Sequence, residues 1–113
     1  MKKEIRNKFR NEVFERDGFR CKMCGDNNSK LDAHHITNRN EMPNGGYVLE
    51  NGITLCDKPN GCHMKAEMYN KYTVSFLKKR SDLHYKYQEY SPENLYKKIN
   101  SSYKLAYQKS ERL

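Results

Sequence analysis

Four cysteines in two pairs, Cys21/Cys24 and Cys56/Cys62, constrain this chain more than any other feature. The first pair is a CxxC followed by glycine, "CKMCG", the sequence of a tight knuckle whose backbone amides face two thiolates. The second pair follows about thirty residues later and is wider, with "DKPNG" between its members. Such a grouping fits a tetrahedral zinc site with two ligands from each turn, clamping distant segments together. Two other arrangements stay open on the residues alone. His63, next to Cys62, can replace it at the ion, or the four thiols can bind nothing. A staple is needed, because only 35% of the 113 residues are apolar and 32% are charged. A core that thin in a single small domain rarely holds by itself. The opening "MKKEIRNKFR" is charged, no signal-peptide segment follows, and no apolar run is long enough for a membrane span. A cytoplasmic location is therefore expected, where thiols stay reduced and cysteine pairs hold zinc more often than they form disulfides.

The balance of 22 Lys and Arg against 14 Asp and Glu leaves a net charge of +8. A polyanion, with nucleic acid first, is the partner that this excess suits. "EIRNKFRNEVFERDG" places Ile5, Phe9 and Val13 at helical spacing with Gly18 as the stop, so the chain opens with an amphipathic basic helix over 1–18. After the knuckle, "KLDAHHI" and "GITLC" read as short strands, separated by a loop that holds Pro43, Asn44, Gly45 and Gly46. From "CHMKAEMYNKY" onward the residues favour helix. Ser91 as N-cap with Pro92 at the first helical position marks another helix start. "SSYKLAYQKSERL" reads as a last helix, with Tyr103, Leu105, Ala106 and Tyr107 available for one face. The fold class expected is α+β, with a basic N-terminal helix, a cysteine-stapled core over 19–70 and a helical extension over 71–113, all in one domain.

His34 and His35 are adjacent, and consecutive side chains of a strand point to opposite faces. If both do chemistry, each does something different. His84 has no partner in sequence and reads as a surface or packing residue. The order "CKMCG…LDAHHI…ENGITLC…CH", preceded by "RDG", resembles the HNH endonucleases, whose core is the ββα-metal (His-Me finger) unit. The resemblance covers about 16–67. It implies that His34 is a metal ligand and His35 the general base, and that Asn51 braces the loop holding His35. His63 at the start of a helix would be the second ligand. It further implies one divalent cation at His34 and His63, with Mn²⁺, Mg²⁺, Ni²⁺, Co²⁺ or Zn²⁺ in question, beside a structural zinc on Cys21, Cys24, Cys56 and Cys62. Imidazole ligands without a carboxylate make a strict Mg²⁺ preference less comfortable. The chain departs from the family in having no proline shortly after "HHI", the next being Pro43.

The function so implied is hydrolysis of DNA phosphodiester bonds. Arg39 is a candidate phosphate clamp, and Arg20 and Lys65 are candidate backbone contacts. A protein of this size suits a phage or mobile element acting in the host cytoplasm. The alternative is a non-catalytic zinc module that binds nucleic acid with the same cysteines and basic surface. A pure interaction domain is a third class, and it leaves His34, His35, Asn51 and His63 without a purpose. No recognition helix or base-reading code is visible, and the sequence does not set the oligomeric state.

Overall fold

The computed structural model describes residues 2–73 and 86–113, so His84, Lys78, Lys79, Arg80 and the helix expected through "VSFLKKRSDLHY" lie outside the described residues. Among the described residues, four helices and a two-stranded antiparallel sheet form an α+β domain. Helix α1 spans Lys2–Arg16, strand β1 Leu31–His35, strand β2 Gly52–Cys56 and helix α2 Cys62–Thr73. Helices α3, Pro92–Lys98, and α4, Tyr103–Glu111, complete the chain. No helix among the described residues is long and apolar enough to cross a membrane.

α1 buries Phe9 and Val13, four residues apart on one face. Ile5, one turn earlier, was expected on the same face but is 47% exposed, because the sheet does not reach that far. The helix ends where Gly18 and Phe19 take positive φ and the Phe19 amide turns back to the Phe14 carbonyl at 2.9 Å. Its C-terminal end is tied down by Arg16 and Asp17. Asp17 is buried, accepts from the Thr54 amide at 2.9 Å and from the Arg16 guanidinium, which also donates to the Leu49 and Gly52 carbonyls. The carboxylate and the guanidinium thus satisfy each other and the backbone of the first half of β2 together.

β1 and β2 pair in the register Leu31↔Cys56, Ala33↔Thr54 and His35↔Gly52, with His34 opposite Ile53. The strand alternation gives the sheet two unlike faces. α1 covers the face of His35 and Gly52, and it lies so close that a Cβ on Gly52 would meet the Val13 side chain at 2.5 Å and the Phe9 ring at 2.7 Å. The other face carries Asp32 and His34, with Ile53 and Leu55 across from them. Ile53 and Leu55 join Ala66 of α2, Leu95 and Tyr96 of α3 and Ala106 of α4 in the core.

The loop between the strands is wound into three single turns, Arg39–Glu41, Pro43–Gly46 and Leu49–Asn51. Ser91 caps α3 by accepting from the Asn94 amide at 3.2 Å, with Pro92 at the first position. Ser102 caps α4 in the same way through the Leu105 amide at 3.1 Å. α4 packs with Ala106 and Ser110, while Tyr103, Leu105 and Tyr107 face outward. Of the four residues available for one face only Ala106 is buried, and the Asn44 side chain of the inter-strand loop holds the end of the helix by donating to the Ser110 carbonyl at 3.0 Å.

Candidate functional site

The two cysteine pairs meet. The Sγ atoms of Cys21, Cys24, Cys56 and Cys62 all lie within 4.8 Å of one another; Cys24 is exposed and the other three are buried. The knuckle forms because Gly25, at φ +80°, lets its amide return to the Cys21 carbonyl at 2.8 Å. The Lys22 amide donates to the Thr54 carbonyl, which attaches this turn to β2. On the other side the Cys62 amide, at the start of α2, donates to the Cys56 sulfur at 3.3 Å. Four thiolates around one ion at 2.3 Å would lie about 3.8 Å apart. The Cys24 and Cys56 sulfurs are 3.8 Å apart, so the cluster could bind a metal such as zinc. Burial pushes the Cys56 and Cys62 thiols upward, whereas at Cys21 burial is outweighed by backbone hydrogen bonds from Cys24, Cys56 and Met23, which pull its thiol down. Tyr90 closes the cluster, its hydroxyl 3.5 Å from the Cys62 sulfur.

A second group of side chains that could hold a metal ion lies at the start of α2 and along β1. Asp32, His34 and His63 each offer an atom within 4.8 Å of the others. His63 Nε2 is 3.3 Å from Asp32 Oδ2 and 3.4 Å from Glu67 Oε1, and His63 Nδ1 is 3.5 Å from Asp57 Oδ1. Ligand atoms sharing an ion at about 2.1 Å lie roughly 3.0–3.4 Å apart at octahedral or tetrahedral angles, so this spacing fits a small cation. A carboxylate behind the outer nitrogen is also what orients a ligating imidazole. His34 is buried, with Nδ1 3.9 Å from Glu67 and Nε2 without a hydrogen-bond partner. Burial, then the charge of His63 and of His35, holds its pKa down at about 3. Burial likewise raises the Asp32 carboxyl above the usual range.

The adjacent histidines do not by themselves point to Asp32, but its spacing from His34 does. It stands two residues before His34, and in a strand that spacing puts both on one face.

His35 points to the other face. Its ring stacks on Phe9 at 4.5 Å between centroids and 23° between planes, and meets Tyr47 edge-on at 4.8 Å and 90°. Arg39 reaches the same corner and donates to the Tyr47 hydroxyl at 2.9 Å. Burial, then the Arg39 charge, lowers the His35 pKa to about 4. The two histidines nevertheless share one cleft of about 500 Å³, because β1 is a sheet edge and the cleft runs past it. Asp32, His63, Glu67 and Arg39 also line that cleft.

Asn51 is fully buried behind this corner. Its carboxamide oxygen accepts from the Thr37 amide at 2.9 Å and from the Tyr96 hydroxyl at 2.8 Å, and its nitrogen donates to the Thr37 and Gly46 carbonyls, both at 3.1 Å. The Thr37 hydroxyl meets the Tyr96 hydroxyl at 2.6 Å, and burial pushes the Tyr96 phenol up to about 12. Every hydrogen-bonding position of the carboxamide is thereby used, and the chain just after His35 is fixed to the end of the inter-strand loop.

Arg20 and Lys65 do not line the cleft. Arg20 is exposed beside the knuckle, and the Lys65 ammonium lies 5.8 Å from the centre of the Tyr90 ring. Two tyrosines, Tyr90 and Tyr96, turn their hydroxyls inward, onto a cysteine and onto Asn51. No protein-family model matches this chain, and no curated protein or solved structure is significantly similar to it.

Proposed function

We propose that the chain is a metal-dependent endonuclease of the HNH kind. In this reading β1, β2 and α2 form a ββα-metal core, zinc on the four cysteines staples it, and DNA phosphodiester bonds are hydrolysed in the histidine cleft. One observation carries the proposal: Asp32, His34 and His63 converge, while the neighbouring His35 enters the same cleft without a ligand role.

A divalent cation on His34, His63 and Asp32 would supply Lewis-acid stabilisation of the charge that develops on the phosphate and the leaving oxygen. Asp32 adds a hard oxygen donor to two imidazoles, so Mg²⁺ and Mn²⁺ suit the set as well as Ni²⁺ or Zn²⁺ do. His35 takes the proton from the attacking water. Its Nε2 is sealed from solvent, which leaves Nδ1 as the acceptor that meets the cleft. Phe9 and Tyr47 hold the ring in place, and Asn51 fixes the backbone that follows it. The low pKa keeps the imidazole neutral, hence able to accept, at neutral pH. Arg39, exposed and lining the cleft, would meet a phosphate oxygen in this reading.

Cleavage of duplex plasmid and of circular single-stranded DNA with Mn²⁺, Mg²⁺ or a chelator tests this. His35→Ala should slow nicking by roughly 10²–10⁴-fold, the usual share of a general base. A wild type that nicks with none of these ions, or a variant that nicks as fast, ends the proposal. In that case one tightly held zinc per chain and no second, exchangeable ion would point to the non-catalytic nucleic-acid-binding module.

A further inference from the structure

A ridge of cations on α1 is used by nothing in the fold. Lys2, Arg6 and Arg10 recur every four residues, so they rise along one side of the helix. All three are exposed, and none makes an ion pair or side-chain hydrogen bond among the described residues. Arg16 on the same helix is the contrast, since its guanidinium is consumed by Asp17 and two carbonyls. The ridge spans about 12 Å, the rise of three to four phosphates along one stacked strand.

The ridge leads somewhere. Arg6 and Arg10 line the histidine cleft, and Lys2 and Arg6 line a neighbouring groove of about 960 Å³. The two cavities share Arg6, Arg39, Asn40 and Tyr47, so they lie side by side along α1. No Asp or Glu side chain lines the outer groove. Its apolar part is Ile5, Tyr47 and Leu113, with Ile5 left 47% exposed. A single exposed isoleucine is ordinary on a protein surface. One that floors a groove between arginines, beside a tyrosine, is a platform for something both anionic and flat.

We propose that this groove binds an unpaired DNA strand and feeds it to the cleft, with Lys2, Arg6, Arg10 and Arg39 on its phosphates and Ile5 and Tyr47 under its bases. A duplex hides its base faces in the stack and offers phosphates and base edges. Only an unpaired strand offers phosphates and base faces side by side, the pairing that single-strand grooves exploit. The substrate class for the reading above is then single-stranded or frayed DNA. The inference rests on that reading for the cleft as the place of cutting, but not for the binding itself.

The test is therefore a binding test. The full zinc-loaded chain carrying His35→Ala, with no second ion added, is titrated into a labelled single-stranded oligonucleotide and into the blunt duplex of the same sequence, over a range of salt. The single strand should bind several-fold tighter. Adding Arg6→Ala and Arg10→Ala should weaken it and reduce the slope of log K against log salt by roughly 1.4, two single-strand phosphate contacts. Lys8→Ala with Lys22→Ala removes the same charge outside both cavities and should leave the slope unchanged. Ile5→Ser should narrow the single-strand preference and keep the slope. Equal or tighter duplex binding, or an equal loss of slope in the Lys8/Lys22 pair, overturns the proposal. Absence of nicking by the wild type would instead remove hydrolysis and leave these binding results standing.

Discussion

Cys62 and His63 are neighbours in the first turn of α2, yet they serve two clusters of opposite character. The sulfur cluster is uniform, three-quarters buried and closed by backbone amides and Tyr90. The cluster of Asp32, His34 and His63 mixes nitrogen with oxygen, opens on a cleft and is backed by further carboxylates at Asp57 and Glu67. A closed set of four soft ligands leaves an ion no free position and suits a structural role, whereas an open set of three leaves room for water and substrate. One helix turn thus contributes a residue to each of two clusters that could hold a metal, so that each constrains the other's position.

That division can be broken by experiment. The largest effect is expected at the staple. Cys56→Ser should abolish the cooperative thermal transition seen by circular dichroism, since apparent zinc-binding energies in small zinc domains exceed about 10 kcal/mol. A variant that melts like the wild type would mean that the sulfur cluster is not what holds the fold. Next is Asp32→Asn, which should lower nicking by at least about 10-fold, since loss of a group that merely supports a metal ligand already costs about 10–100-fold. Its melting temperature should barely move, because burial already disfavours the charged carboxyl there. If it unfolds the chain as the cysteine change does, the two clusters are not separate in role. The smallest effect concerns Asp26 and Lys58, an exposed pair beside the knuckle at 2.6 Å. The Lys58 hydrogen bond, then Ser29 and the Asn28 amide, hold the Asp26 carboxyl below its usual range. A carboxyl lowered by folding adds stability above its unfolded value and loses it as pH falls through the folded one. The small difference in melting temperature between wild type and Lys58→Ala should therefore be constant near pH 6 and shrink below about pH 4. A difference that grows on acidification would contradict the assignment.

Local chemistry made much of this legible in the sequence. The knuckle, the stop at Gly18, the Ser91–Pro92 start and the two short strands all rest on residues that act within a few positions of themselves. What was hidden depends on the partner. Ile5 has the right spacing to be buried but stays 47% exposed, and α4 turns the small Ala106 and Ser110 inward in place of its tyrosines. The hydrogen bond from Tyr96 to Asn51 joins residues 45 apart and leaves no trace in spacing. Asp32 is the exception, readable from strand alternation once His34 is taken as a ligand.

Gly52 sets the distance between the parts. It stands opposite His35, and its missing side chain is the space into which Phe9 and Val13 settle. Any larger residue would lift α1 off the sheet, removing the ring that rests on His35 and carrying Arg6 and Arg10 away from the cleft rim. A single bare Cα thus sets how near the proposed strand-binding surface stands to the cluster proposed to cut it.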